Sequence, residues 1–219
     1  MKVAEFKNSF QERSIKPLQD ALGSGQLTEE TESTGRPVFI YLTTSDPKKA
    51  KKLKNWEEAQ LSKDELIIGV KVFHCIMADV ESLEAESPLG QLLGKTRAPG
   101  FYTMHNGKLL YRAEGMPKSG IVFSCMKKTI SKVYKVRLDK VVKQVQGIEK
   151  TIEKLENRKT LCQQKLGRTK DKDRGRQKIL DEIDALAVQV NQLNAEIDNI
   201  TDLEALKKEA LASRKVSKR

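Results

Sequence analysis

Few side chains in this chain are of the types that do chemistry, and their spacing keeps them apart. There are three cysteines, Cys75, Cys125 and Cys162, and two histidines, His74 and His105. A thiol attacks or binds metal as its thiolate, which needs a cationic, partly exposed setting. His74 and Cys75 adjoin in an apolar, β-rich run, so their side chains point to opposite faces and cannot chelate one ion. Cys75 then reads as a core residue and His74 as an exposed or interfacial one. His105 lies beside a turn, Cys125 on a helix, and Cys162 on a helical apolar seam where a small side chain packs. A nucleophile would have to be a perturbed Cys75 or Cys125. No catalytic, cofactor-binding or metal-binding set is expected, and enzymatic activity is not. An odd number of well-separated cysteines argues against a disulfide framework and for a reducing compartment, with the cytoplasm as the expected location.

Cations are the other candidate chemistry. The 219 residues carry a formal charge of +11, and its placement matters more than its sum. Lys48, Lys49, Lys51, Lys52 and Lys54 crowd onto one predicted helix. Arg168, Lys170, Lys172, Arg174, Arg176 and Lys178 crowd into a polar stretch between two helices, and a second basic run closes the chain at 213–219. Either cluster reads as a solvated face or as a surface for an acidic partner or a phosphate backbone. Stacking aromatics are absent from the lysine run apart from Trp56, which weakens a single-stranded nucleic-acid reading.

The C-terminal elements have the clearest periodicity. Apolar residues recur in alternating steps of four and three at Tyr134, Leu138, Val141, Val145, Ile148, Ile152, Leu155, Cys162 and Leu166, with Lys159 filling the one gap. A second seam runs through Ile179, Ile183, Leu186, Val190, Leu193, Ile197 and Ile200, then Glu204, Lys207 and Leu211, with Leu203 and Leu206 expected to take over the packing where it turns polar. This is the heptad signature of a coiled coil. Between the seams lies the polar stretch 167–176, flanked by Gly167 and Gly175, which reads as a turn. Folding the seams back antiparallel pairs Leu166 with Ile179, Leu155 with Val190 and Ile148 with Ile197. The first arm is mostly basic and the second mostly acidic, which favours that pairing over self-pairing of either arm. Such arms would extend roughly 55 Å at about 1.5 Å per residue. Leu161, Ala185 and Val188 flank the seam as positions for homodimer formation.

The N-terminal half alternates strand and helix signals. Val3, Phe6, Phe10, Ile15, Leu18 and Leu22 have helical spacing, and Gly23 to Thr34 reads as a loop. Pro37–Leu42 reads as a buried strand, and Asp46-Pro47 opens the lysine-rich helix. Ile67–Met77 reads as a second strand, and Leu89–Leu93 as a short helix. Phe101–Met104 and Leu109–Arg112 form a hairpin around Asn106-Gly107, a pair that accepts a type I′ turn. Residues 119–134 read as a helix running directly into the first arm. No run of about 18 apolar residues is present, so neither a membrane span nor a membrane partner is expected, and the first twenty residues lack a signal-like apolar core.

This order over about 80–90 residues resembles the thioredoxin superfamily. Gly35-Arg36-Pro37-Val38-Phe39-Ile40-Tyr41-Leu42 is similar to the family's central strand, Ala98-Pro99 stands where the family keeps a cis-proline, and Phe101–Gly115 is similar to its final hairpin. The resemblance implies a thioredoxin-like domain over 35–128; the spacing and composition add a helix and linker over 1–34 and a coiled-coil hairpin over 129–212. The resemblance also implies a cis peptide at Pro99. Where the family carries Cys-x-x-Cys, this chain has Ser45-Asp46-Pro47-Lys48-Lys49, with Asp46 and Lys49 near the two thiol positions. The expected architecture is therefore an α/β thioredoxin-like domain followed by a long antiparallel coiled-coil hairpin. The expected role is a non-catalytic scaffold with protein partners in a larger assembly. The alternative is a ribosome- or RNA-associated factor that contacts phosphate through the basic tip and tail. Lys48, Lys49 and Lys52 are candidate partner contacts; Pro99, Asn106, Gly107, Ile148, Ile152, Leu155, Val190, Leu193 and Ile197 are expected to be structural.

Overall fold

The β-branched and aromatic run Val38–Thr43 forms the middle strand of a five-stranded sheet in a computed structural model that describes residues 2–12, 36–83, 86, 88–169, 175–202 and 207. The strands are β1 (Gln11–Glu12), β2 (Val38–Thr43), β3 (His74–Asp79), β4 (Gly100–His105) and β5 (Lys108–Glu114), in the order β1-β3-β2-β4-β5. β1 and β2 run parallel to β3, whereas β4 is antiparallel to β2 and β5 to β4. Asn106 and Gly107 take φ values of 50° and 68° at the β4–β5 turn, the left-handed pair that a type I′ turn demands. Further along β5, Leu110 is skipped: Thr103 pairs with Tyr111, and Met104 with Leu109. The Ala98-Pro99 peptide ahead of β4 is cis.

The helices of this first unit are α1 (Lys2–Asn8), α2 (Pro47–Gln60), α3 (Asp64–Val70), α4 (Pro88–Leu93) and α5 (Ser119–Tyr134), with a 3-10 turn at Val80–Ser82. Strand alternation sends the side chains of β2 to two cores. Val38, Ile40 and Leu42 join Ile76, Ala78, Leu89, Leu93, Tyr102 and Met104 in one cluster. Phe39 and Tyr41 stack on Phe101 at centroid distances of 5.5 Å and 4.7 Å, and Phe6 and Phe10 of the N-terminal segment close over them. Two side chains fasten α2 to the start of α5. Trp56 Nε1 donates to the Pro117 carbonyl at 3.1 Å, and Gln60 Oε1 accepts from the Ser119 amide at 2.9 Å, filling the role of a cap on an otherwise orphaned N–H.

Three sequence expectations are corrected here. Residues 67–72 are not strand, because α3 occupies Asp64–Val70 and the strand begins at His74; a short, fully buried apolar run has no periodicity to separate the two. The N-terminal helix ends at Asn8, and Gln11 and Glu12 pair with Ile76 and Met77 as a strand, a contact too short to leave a pattern. The third is that α5 does not run into the next helix: Lys135 adopts a left-handed φ of 61° and closes it. Residues 13–35, including Ile15, Leu18 and Leu22, and the tail at 213–219 lie outside the described residues.

The chain divides into two compact units, and the first continues to Asp139, past the limit at 128 read from the sequence. The second spans Lys140–Asp202 and consists of α6 (Leu138–Arg168) and α7 (Gly175–Thr201). Both helices run into the stretch read as a turn over 167–176, since Gly167 and Arg168 end α6 and Gly175 and Arg176 begin α7, while residues 170–174 lie outside the described set. Val141, Val145 and Cys162 are buried on α6, and Leu186, Val190 and Ile197 on α7. Ile148, Ile152, Leu155, Leu166, Ile179, Ile183, Leu193 and Ile200 are half-buried on the same stripes, while the other faces are mostly exposed. Arg158 Nη2 lies 2.6 Å from Glu182 Oε1, and Arg176 Nη1 donates to the Thr169 carbonyl at 3.2 Å. Among the described residues, no helix is long and apolar enough to cross a membrane.

Candidate functional site

The junction between β2 and α2 is where a short polar loop meets a helix N-terminus, and its side chains are mutually engaged. Asp46 caps α2: its Oδ1 accepts from the Lys48 amide at 2.9 Å and its Oδ2 lies 3.4 Å from Lys49 Nζ. Pro47 follows at the first helical position, where its missing N–H costs nothing. The Asp46 amide donates to Thr44 Oγ1 at 3.2 Å, and the Thr44 hydroxyl in turn donates to the Glu81 carboxylate. Burial pushes the Asp79 carboxyl up, but hydrogen bonds from Glu81 and Ser45 outweigh it and hold Asp79 below the usual carboxylate range. None of these groups is a thiol, so the junction cannot exchange disulfides. It can present carboxylate and ammonium groups to a partner.

The thiols lie elsewhere. Cys75 is buried with its Sγ 3.4 Å from the Val70 carbonyl, and burial pushes its pKa far up against a weaker opposing pull from Arg36. Burial also raises Cys125, with Lys128 opposing. Cys162 is buried on the α6 stripe. His74 pairs in register with Val38 on β3, His105 ends β4, and no cluster of metal-ligating side chains occurs among the described residues.

Lys48, Lys49, Lys51, Lys52 and Lys54 of α2 are all exposed, with Lys48, Lys51 and Lys52 on its outer side. Its inner side carries a buried acid that sequence reasoning missed. Glu57 is 6% exposed; its Oε1 accepts from the Tyr41 hydroxyl at 2.7 Å, and Lys7 Nζ lies 2.8 Å from the same carboxylate. Burial first, and Glu57 second, push the Tyr41 phenol well above its ordinary pKa. The sequence does hold the signal: Leu53, Trp56, Glu57 and Gln60 fall on one face at helical spacing, which turns Glu57 inward. A groove of about 610 Å³, lined by Lys2, Val3, Lys7, Lys54, Glu57, Glu58 and Ser62, opens over it.

Of the cations expected at the helical tip, Arg168 and Lys178 are exposed, and half-buried Arg176 binds the Thr169 carbonyl. Lys170, Lys172 and Arg174 fall outside the described residues. The α2 and tip clusters belong to different units.

No protein-family model matches the chain, and a comparison with curated proteins found no match. Among solved structures it is similar to a chain described as "Crystal structure of a designed protein", with 15% identity over 55% of this chain and 97% of that one, at a TM-score of 0.33.

Proposed function

We propose that the chain is a non-catalytic binding protein: a thioredoxin-like domain without its thiol pair, carrying an antiparallel coiled-coil arm, that serves as a scaffold in a larger protein assembly. The strand order β1-β3-β2-β4-β5, three parallel strands beside an antiparallel hairpin, supports the domain reading, as does the cis-proline ahead of β4. The apolar stripes of α6 and α7 and the Arg158–Glu182 pair support the arm. Thr169 opposite Arg176 lies in the register that would pair Leu166 with Ile179.

The observation that carries the non-catalytic reading is the β2–α2 junction. Asp46 there spends its carboxylate on capping the helix and on Lys49, where the resemblance would place a nucleophilic sulfur. A cap of this kind contributes about 1 kcal/mol, so the residue has a structural task and no redox one. Two measurements test the proposal. In an insulin-reduction assay with dithiothreitol, the chain should precipitate insulin no faster than the blank; acceleration overturns the non-catalytic reading. Affinity purification from a native extract should recover a stoichiometric protein partner at about 0.5 M salt, where exposed charge contacts are screened. Recovery of nucleic acid alone, lost at high salt, overturns the scaffold reading.

A further inference from the structure

The lysine face of α2 contradicts the local physics of helices. A helix N-terminus carries a partial positive charge and favours Asp or Glu in its first turn. The first turn of α2 has no acidic residue, and Lys48, Lys49, Lys51 and Lys52 stand in its first two turns. Lys48–Lys51 and Lys49–Lys52 are like-charge pairs at i,i+3, and Lys48–Lys52 is one at i,i+4, spacings at which such pairs repel. Among the described residues only Lys49 of the five has an ion-pair partner, Asp46. The Asp46 carboxylate at the N-cap offsets part of this for Lys49 alone, and places where a sequence breaks a local rule are expected to be functional or strained sites.

We propose that this face binds the phosphate backbone of a double-stranded nucleic acid without reading its sequence. The inference stands whether or not the arm acts as a scaffold. Charge density selects the partner. Lys48, Lys49, Lys51, Lys52 and Lys54 span about 9 Å from first to last at about 1.5 Å per residue, a mean spacing of about 2.2 Å along the helix axis. Duplex DNA carries one charge per about 1.7 Å. An extended acidic peptide, rising about 3.3 Å per residue, offers at most half that density.

The side-chain types narrow it further. The face has lysines and no arginine, and lysine meets phosphate as a point charge while arginine supplies the bidentate fork that reads bases. A single strand would need exposed stacking rings, but Trp56 is turned to the Pro117 carbonyl and half-buried. A lipid surface would need large apolar residues beside the cations. The other exposed side chains of α2 between Ala50 and Ala59 are Ala50, Asn55, Glu58 and Ala59.

The test is fluorescence anisotropy of the full chain with a labelled mixed-sequence DNA duplex and an RNA duplex across salt concentrations. Lys48, Lys51 and Lys52 share the outward face, and K48Q/K51Q/K52Q removes three phosphate contacts. The slope of log affinity against log salt should then fall by about 2.7. The loss of affinity between 50 and 200 mM salt should shrink by about 40-fold on the same count. K48R/K51R/K52R should keep the slope, and R168Q/K178Q should keep most of it. The glutamine variant should melt no lower than wild type, and about 1–3 °C higher if the helix-end repulsion is real. That combination, weaker binding with equal or greater stability, is one a structural role would not give. The proposal is overturned if the full chain binds neither duplex, if the slope is unchanged in the glutamine variant, or if R168Q/K178Q abolishes binding. Polyglutamate displacing the duplex more effectively than unlabelled duplex would also overturn it, in favour of an acidic protein partner.

Discussion

Replacing Glu57 by alanine should be among the more damaging single changes to the first unit, although the residue is charged and lies beside a groove. The Tyr41 hydroxyl is fully buried and donates to Glu57. Losing its acceptor leaves a buried polar group unsatisfied, which costs about 1–3 kcal/mol. Lys7 loses its partner too, but its side chain is 35% exposed, so that loss adds less than about 1 kcal/mol after solvent screening. The expected total is about 1–4 kcal/mol. Glu57→Gln keeps an oxygen for Tyr41 and should cost about 1 kcal/mol or less. Tyr41→Phe combined with Glu57→Ala removes both ends of the bond, so the double variant should recover about 1 kcal/mol relative to the sum of the singles. Urea unfolding followed by fluorescence reads this cleanly, because Trp56 is the only tryptophan and its ring lies 6.1 Å from Phe101 in the same unit. Glu57→Ala within about 0.5 kcal/mol of wild type, or strict additivity in the cycle, would refute the claim that the pair is energetically coupled.

Three further outcomes are expected. Val190→Asp places a carboxylate on the buried stripe of α7, at a cost of several kcal/mol; the far-ultraviolet helical dichroism should drop while Trp56 fluorescence is unchanged, and simultaneous loss of both would show that the two units unfold as one. Cys75 and Cys125 are held as thiols by burial, so Ellman's reagent at about pH 8 should label them far more slowly in the native chain than in urea, and fast native labelling of either would contradict the burial. Arg158 holds the Glu182 carboxyl below its ordinary pKa; the folded value is the lower one, so the pair's contribution is present above the unfolded pKa and is lost as pH falls through the lowered folded one. Arg158→Gln should therefore flatten the acid limb of the α6–α7 unfolding curve, and an unchanged limb would show that the pair is silent.

What the sequence discloses follows how local each cause is. The Asn106-Gly107 turn, the Asp46-Pro47 helix start and the apolar stripes of α6 and α7 are each written in a few neighbouring residues, and each is legible. Lys135 is not: no glycine or proline marks its left-handed conformation. Over α3 the same apolar run suits a strand or a helix, because Leu66, Ile67, Ile68 and Val70 are buried all round and no face is left to show a period. At the candidate site, the lysines are visible as composition, but the capping network of Thr44, Asp46 and Glu81 and the inward turn of Glu57 depend on contacts with distant residues. The Gln60 cap on α5 joins residues 59 positions apart, beyond any windowed reading.

The two margins of the sheet bear on how the protein behaves when crowded. β5 borders the sheet with a row of backbone donors and acceptors facing away from β4, the kind of template on which chains add strand by strand into fibrils. Lys108, Arg112 and Glu114 punctuate that strand, and the skipped Leu110 interrupts its register. Among the described residues the opposite border is β1, two residues paired with Ile76 and Met77. A chain gathered at high local concentration would thus meet charge and a broken ladder along β5, so neighbouring copies have little to zip onto there. Arg112→Val, which leaves an apolar run from Leu109 to Ala113, would remove a gatekeeper from the longer margin.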